Sequence, residues 1–285
     1  MKSTVLITGA NGQLGMCLQD AAPNYPEIQF VFKSKEELDI TNAQDLETFF
    51  HENGFTHCIN TAAYTNVEKA ESEPEKAFEI NADAVKNLAI VCRKYDVTLL
   101  HISTDYVFDG KKQTPYTESD QTNPINVYGE SKLKGEQYIQ DLLEKYFIFR
   151  TSWLYSQYGH NFYKSILRMA DEGKPMTITT EQIGTPTNAN DLARAILEVI
   201  KQENTQFGLY HFSNGGETTW YDFAKEILEL HQKLDSVKLV QTNHYRTFAQ
   251  RPEYSVLDNG RVKRLSYLKT VHWKTALSQL INQCK

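Results

Sequence analysis

Tyr128 and Lys132 stand four residues apart in NPINVYGESKLKGEQ, residues 123–137. A helix beginning near Asn126 sets both side chains on one face. A free phenol titrates near about 10, too high to exchange its proton readily at neutral pH. A neighbouring ammonium favours the phenolate and lowers that value. The same spacing also arises by chance on solvated helix faces, so the pair needs companions. LLHISTDYVFDG supplies some, since Ser103, Thr104 and Asp105 close an apolar run that reads as a parallel strand. The carboxyl edge of such strands is where open α/β sheets bind ligands. NTAAYTNVEKAE adds a turn of small residues at the same edge, with Ala62, Ala63 and Tyr64 able to pass close to a cofactor.

A second motif concerns phosphate. TGANGQLG spaces Gly9, Gly12 and Gly15 between the first strand-like run and the first helical one. Gly9 suits a tight turn, Gly12 lets backbone approach a pyrophosphate, and Gly15 permits close helix–strand packing. The helix N-terminus behind them adds amides and a dipole favourable to an anion. Asn11, Gln13 and Leu14, which lie between these glycines, are counted with them as cofactor contacts. An acidic residue about 20 positions on would hold an NAD ribose, but FVFKSKEELDI stands there. Lys33 and Lys35 fit a 2′-phosphate, hence NADPH with NADH accepted as well, and fit a solvated face equally. Asp39 and Ile40 are placed to flank the adenine. With a nicotinamide cofactor in view, Lys132 gains a second purpose, a hydrogen bond to the ribose beside the nicotinamide.

These residues need a frame, and the first half supplies one. TVLITG, IQFVFK, HCIN, VTLLHIST and FIFRTSWLY are apolar, β-rich runs, each separated from the next by a helical stretch. Near-continuous apolar strands alternating with helices imply a parallel sheet covered on both faces. Right-handed crossovers then give a doubly wound, Rossmann-type α/β fold. Residues 1–155 form the NAD(P)-binding part. Residues 156–285 form a smaller α/β lobe, mainly for substrate, with about 176–212 returning to the main sheet. Its helical segments fall near 160–171, 188–202, 218–232 and 272–283, with MTIT, GLYHFS and VKLV as extended pieces.

Composition narrows the class. Across 285 residues the hydrophobic fraction is 40 % and the charged fraction 23 %, as in an ordinary globular chain. The net charge is −6, with Lys and Arg scattered, so no nucleic-acid footprint shows. Cys17, Cys58, Cys92 and Cys284 are dispersed and the histidines show no H-x-x-x-H spacing, which speaks against a zinc site or a disulfide framework. No leader-like start and no apolar stretch near 20 residues appears, so a cytoplasmic setting away from membranes is expected.

TGANGQLG, NTAAYTNVEKAE, ISTDYVFDG, PINVYGESKLKGE, RTSWLY and RPEYSVLD together resemble the extended short-chain dehydrogenases/reductases, and within them the dTDP-4-dehydrorhamnose reductases. The resemblance runs to about residue 258. It implies Tyr128 as proton donor, Lys132 as its activator and Thr104 as a hydrogen-bond donor to the sugar oxygen. It places Asp105 on the substrate, Trp153 on the sugar or nucleotide, Val67 and Glu68 near the sugar, and Arg251 near the diphosphate. The implied reaction is reduction of a C4 keto group on a dTDP-sugar. A 4,6-dehydratase needs a glutamate where Tyr106 stands, and a 4-epimerase favours an acid after the second strand. A cofactor-binding regulatory subunit would have no need of Thr104, Tyr128 and Lys132 together.

Several residues keep two readings. Trp153 suits a core as well as a ligand, and Arg251 suits a surface as well as a phosphate. In SNGGETTWYDFAKEIL, mainly a packing helix, Asn214 and Trp220 are placed to border the nucleotide. Some relatives bridge a dimer through Mg²⁺ held by C-terminal glutamates. ALSQLINQCK has no such cluster, so no metal is expected, and a homodimer is the expected assembly.

Overall fold

The computed structural model describes residues 3–244 and 246–283. Six strands form one parallel sheet, with helices on both faces, in an order that reverses beside its first strand. The first half of the chain gives β1 (Ser3–Thr8), α1 (Gln13–Ala21), β2 (Ile28–Lys33), α2 (Ala43–Asn53), β3 (His57–Asn60), β4 (Thr98–Thr104) and β5 (Tyr146–Thr151). Across the sheet the order is the late strand Gly208–His211, then β5, β4, β3, β1 and β2. Val5, Leu6 and Ile7 are all fully buried, because a strand covered on both faces has no solvent side. One face packs α1 and the helix Ala189–Lys201, through Leu14, Leu18, Leu192 and Ile196. The other packs α2, the helix Ala84–Lys94 and the helix Val127–Leu142, through Leu46, Leu88 and Ile139.

The expected strands form, with one change at the end of the fifth. FIFRTSWLY does not run as a single strand. Trp153 turns with φ of 46°, and Leu154–Tyr155 pairs instead with Thr187–Asn188 in a separate small ladder. The long helix after β3 also changes character, passing through a π-helical turn at Glu79–Asp83. Such turns often mark functional segments. Here the turn brings the Asn81 side chain against Ser131 and the Tyr64 backbone.

Of the later segments, Gly208–His211 joins the main sheet beside β5. Met176–Thr179 pairs instead with Leu239–Thr242. The helices Phe162–Asp171, Trp220–Leu230 and Trp273–Gln283 close a second core around Phe223, Leu277 and Trp273. Cys17, Cys58 and Cys92 are buried free thiols, while Cys284 lies outside the described residues. Among the described residues no helix is long and apolar enough to cross a membrane.

The helix Val127–Leu142 carries Tyr128, and its docking is tight. Asn126 caps it, accepting from the Gly129 N–H at 2.8 Å while its own amide donates to the Gln250 carbonyl at 2.8 Å. A Cβ on Gly129 would stand 2.2 Å from the Tyr106 carbonyl oxygen. Gly129→Ala therefore forces the helix off its bed and is expected to cost about 1–3 kcal/mol. The urea midpoint reads that loss, and an unchanged midpoint refutes the close-approach argument.

Candidate active site

A cleft of about 780 Å³ opens along the carboxyl edge of β1, β3, β4 and β5 and is closed on its far side by the smaller lobe. Its floor is the glycine turn. Gly9 has φ of 69°, and a Cβ there would lie 2.6 Å from the Ala62 nitrogen. The turn after β1 and the turn after β3 thus touch backbone to backbone, leaving room above them for a ligand. Gly9, Asn11, Gly12, Gln13 and Leu14 line the cleft beside Asp39, Ile40, Ala62 and Ala63. Gly15 lies buried beneath, in the first turn of α1. The Gly9 cradle and the amides at the start of α1 fit a pyrophosphate.

The two candidate lysines behave differently. Lys33 turns to Glu37 at 3.7 Å and sits over the Phe49 ring at 5.3 Å, away from the cleft. Lys35 lines the cleft, with Asp39 at 3.8 Å. No carboxylate ends β2, since Ser34 follows Lys33 and its N–H is taken by Glu37 at 2.8 Å.

At the centre of the cleft, Thr104, Asp105, Tyr128 and Lys132 come together. The Thr104 hydroxyl is within hydrogen-bonding reach of the Tyr128 phenol, and it also meets Asp105 Oδ1 at 3.0 Å. Tyr106 packs its ring edge-on against Tyr128, with centroids 5.9 Å apart. The expected effect of the lysine on the phenol does not appear. Burial pushes the Tyr128 phenol up, Asp105 and Tyr106 add to the rise, and only the Thr104 hydrogen bond opposes it. Lys132 shares the helix face but directs its amine to the Ile102 carbonyl at 2.6 Å and to His101 at 3.2 Å. The i,i+4 spacing fixed the face and not the partner, because a lysine stem can swing toward whichever acceptor the adjoining strand offers.

The wall from the smaller lobe is aromatic. Trp153 and Trp220 stack face to face at 3.6 Å and 8°. Gly184 lies under Trp153, where any Cβ would overlap the indole at 2.5 Å. Trp220 is fixed by its N–H to Gln182 at 2.9 Å. Val67 and Arg251 line the opposite rim. Glu68 stays outside the lining, accepting from Arg251 at 2.8 Å and from the Phe248 and Ala249 N–H groups at 2.9 and 3.2 Å. Tyr64 likewise faces away, its hydroxyl donating to Glu73 at 3.0 Å. Asn214 is buried elsewhere, accepting from the Asn188 N–H and donating to Asp191. It braces the start of the helix Ala189–Lys201 and does not border the cleft. The sequence reading passed over Thr61, Thr65, Thr151 and His160, all of which line it. Thr61, Thr65 and Thr151 fall inside or beside quoted motifs but carry no chemistry a spacing would single out, so only the folded edge reveals them with His160.

Asp105 is the most perturbed acid of this group. It is 2 % exposed, and its Oδ2 has no hydrogen-bond partner in the structure. Burial raises its pKa to about 7, against hydrogen bonds from Ser255 and Thr104 that lower it. An unfolded aspartate loses its proton near about 3.9. Between those values the native protein holds more protons than the unfolded chain, so this group's contribution to stability falls as pH rises from about 4 to about 7. Asp105→Asn cannot ionise and is expected to gain more than about 1 kcal/mol over the parent at pH 8, with the gap closing toward pH 4. Urea midpoints across that range test it, and parallel pH profiles for the two proteins refute it.

Comparison with known proteins bears on this site. The RmlD substrate binding domain family model matches residues 1–285. The chain is 37 % identical to the dTDP-4-dehydrorhamnose reductase of Escherichia coli, over 98 % of this chain and 97 % of that one. The crystal structure of a dTDP-4-dehydrorhamnose reductase from Clostridium acetobutylicum superposes with a TM-score of 0.93 at 38 % identity, covering 99 % of both chains. The Bacillus anthracis reductase, solved in complex with NADP, superposes at 0.94 with 37 % identity, covering 99 % of this chain and 100 % of that one. Full-length agreement at this identity, on a Rossmann-type sheet with a Thr–Tyr–Lys edge, shows that the chain belongs to the dTDP-4-dehydrorhamnose reductase family of NADPH-dependent oxidoreductases.

Proposed function

We propose that the chain reduces the C4 keto group of dTDP-4-dehydro-β-L-rhamnose to give dTDP-L-rhamnose, the last step of dTDP-rhamnose biosynthesis. NADPH is the preferred reductant and NADH a second. The supporting observation is that Thr104, Tyr128 and Lys132 gather in the same cleft as the glycine turn. Bound there, the reduced nicotinamide supplies the hydride to C4. Tyr128 gives its phenolic proton to the oxygen that becomes the alcohol, and the Thr104 hydroxyl hydrogen-bonds that oxygen as charge develops on it. Burial favours this role, because it keeps the phenol protonated until the alkoxide forms. Tyr106 stands where an eliminating enzyme needs a second acid, and its ring is packed against Tyr128. Reduction without loss of water follows from that set of groups.

Residues 1–155 hold the cofactor in this reading, through Gly9 to Gly15, Asp39, Ile40 and the Ala62–Ala63 turn. Residues 156–285 mainly hold the sugar nucleotide. Val67 and Asp105 face the sugar, and the Trp153–Trp220 pair faces the sugar or the base. Arg251 meets the diphosphate once it parts from Glu68. The setting is cytoplasmic and the assembly a homodimer, which sedimentation of the purified chain reads directly.

NADPH absorbance with dTDP-4-dehydro-β-L-rhamnose tests the reaction, and dTDP-L-rhamnose is the expected product. Cofactor that binds but is never consumed refutes it. Tyr128→Phe is expected to lower turnover by about 10²–10⁴-fold while NADPH affinity holds, and turnover near that of the parent removes the acid role. Lys35→Ala is expected to weaken NADPH roughly threefold to tenfold, as about 1 kcal/mol of charge-assisted contact implies, and to leave NADH binding unchanged. Equal effects on both cofactors refute a 2′-phosphate contact.

A further inference from the structure

Beneath Lys132 runs a buried chain of hydrogen bonds whose directions are set from one end. The Ala62 N–H donates to Asn60 Oδ1 at 3.1 Å, and the Thr8 hydroxyl donates to the same oxygen at 2.8 Å. A backbone N–H can only donate, so this oxygen is fixed and the Asn60 NH₂ faces the other way. It meets His101 Nδ1 at 3.1 Å. An amide NH₂ has no lone pair to offer, so Nδ1 accepts and carries no proton. His101 is fully buried, and burial holds its pKa well below the ordinary range. A neutral ring with a bare Nδ1 has its one proton on Nε2.

That Nε2 lies 3.2 Å from Lys132 Nζ, which also donates to the Ile102 carbonyl at 2.6 Å. An ammonium has three donors and no acceptor. It cannot take the Nε2–H, and at 3.2 Å the two donors would oppose each other. An amine satisfies both contacts, giving one N–H to Ile102 and its lone pair to His101.

We propose that His101 is a positioning residue that stores Lys132 as the neutral amine in the unliganded protein, by a hydrogen-bond direction imposed from Ala62 through Asn60. Burial acts in the same sense, lowering the Lys132 pKa to about 8. The opposing charge is Glu136, one turn further along the helix, which raises it. Glu136 is already committed to Arg150 of β5 and to the Ser103 hydroxyl of β4. The remaining titratable neighbours are Tyr128 on the same helix and Asp105 after β4, both shifted toward their protonated forms. Without a standing positive charge beside it, the phenol keeps its proton. That consequence for Tyr128 rests on the reaction proposed above, whereas the state of Lys132 does not.

The test is an NMR titration of the full chain labelled with ¹⁵N in lysine and histidine, with no cofactor or substrate present. Lys132→Met assigns the lysine signal. His101 is expected as the Nε2–H tautomer, and Lys132 is expected to titrate below about 7, against about 10.4 for an ordinary lysine. Asn60→Asp offers only acceptors, so it draws the His101 proton to Nδ1 and turns Nε2 into an acceptor for the ammonium. The Lys132 midpoint should then rise by about one pH unit or more. His101→Leu removes the donor without adding charge, and the midpoint should rise there as well. A His101 Nδ1–H tautomer in the parent protein overturns the proposal, as does a Lys132 midpoint above about 7, which leaves the ammonium dominant at neutral pH. Both readings are made on the unaltered chain, so they stand even where a variant does not fold. They are independent of turnover, so a failed reductase assay and a failed titration are told apart.

Discussion

The placement of Thr104, Tyr128 and Lys132 depends on one buried ion pair. Arg150 at the end of β5 meets Glu136 of the Tyr128 helix through Nε at 2.9 Å and Nη2 at 2.6 Å, with both side chains nearly inaccessible. The Ser103 hydroxyl of β4 donates to the same carboxylate. Two adjacent strands and the helix above them are thereby tied at one point, a single turn beyond Lys132. Removing either charge would strand the other in a dry site, at about 3–5 kcal/mol. Apolar packing at Ile139 fixes how far the helix sits from the sheet. The ion pair adds an azimuth, since a bidentate contact tolerates little rotation of the helix about its axis. That orientation brings Tyr128 over Thr104.

The two walls of the cleft are built on different principles. The Rossmann side is backbone, with Gly9 against the Ala62 turn and the N–H groups at the head of α1. Backbone of this kind suits what dinucleotides share and reads little of their identity. The opposite side is side chain, with the Trp153–Trp220 stack held by Gly184 below and Gln182 at its edge. Trp153 adopts a left-handed backbone to reach that position, a strain of about 1–3 kcal/mol that the stack helps to offset. Between the walls, burial keeps the Tyr128 phenol protonated near neutral pH and raises the Asp105 pKa to about 7, so that its carboxyl is only partly ionised there. The centre of the cleft is poised to respond to charge created by a reaction, with little charge of its own.

Much of this was legible in the chain, and the limits have physical causes. Runs such as Val5–Leu6–Ile7 and Leu99–Leu100 are apolar on both faces, which only a covered parallel strand explains. The glycine turn and the Tyr128–Lys132 spacing are local signals, and local signals survive without coordinates. What Lys132 touches was not legible, because His101 and Asn60 are 41 residues apart and meet only through strand order. Asn214 sits in a glycine-rich turn of the kind that borders ligands, yet its amide is spent on Asn188 and Asp191. Lys33 looked like a phosphate contact from its position at the end of β2, and Glu37 with the Phe49 ring draws it aside. In each case the partner a side chain found in the fold decided its direction, although its place on the backbone was already known.

The sixth strand has a consequence for how the chain is made. Gly208–His211 pairs with β5 at the edge of the main sheet, although residues 152–207 intervene. On a ribosome, β1 to β5 emerge first and leave the outer edge of β5 unpaired until residue 211 has been synthesised. At roughly 5–20 residues per second this exposure lasts seconds, with Phe147 and Phe149 at an open edge of the kind that recruits foreign strands. The helix Ala189–Lys201, which covers Leu14 and Leu18, arrives in the same interval. The nascent sheet therefore passes through a window in which its edge and one face both await later chain. A chaperone that holds extended apolar segments would find its binding site there, at an edge the finished sheet covers with Gly208–His211.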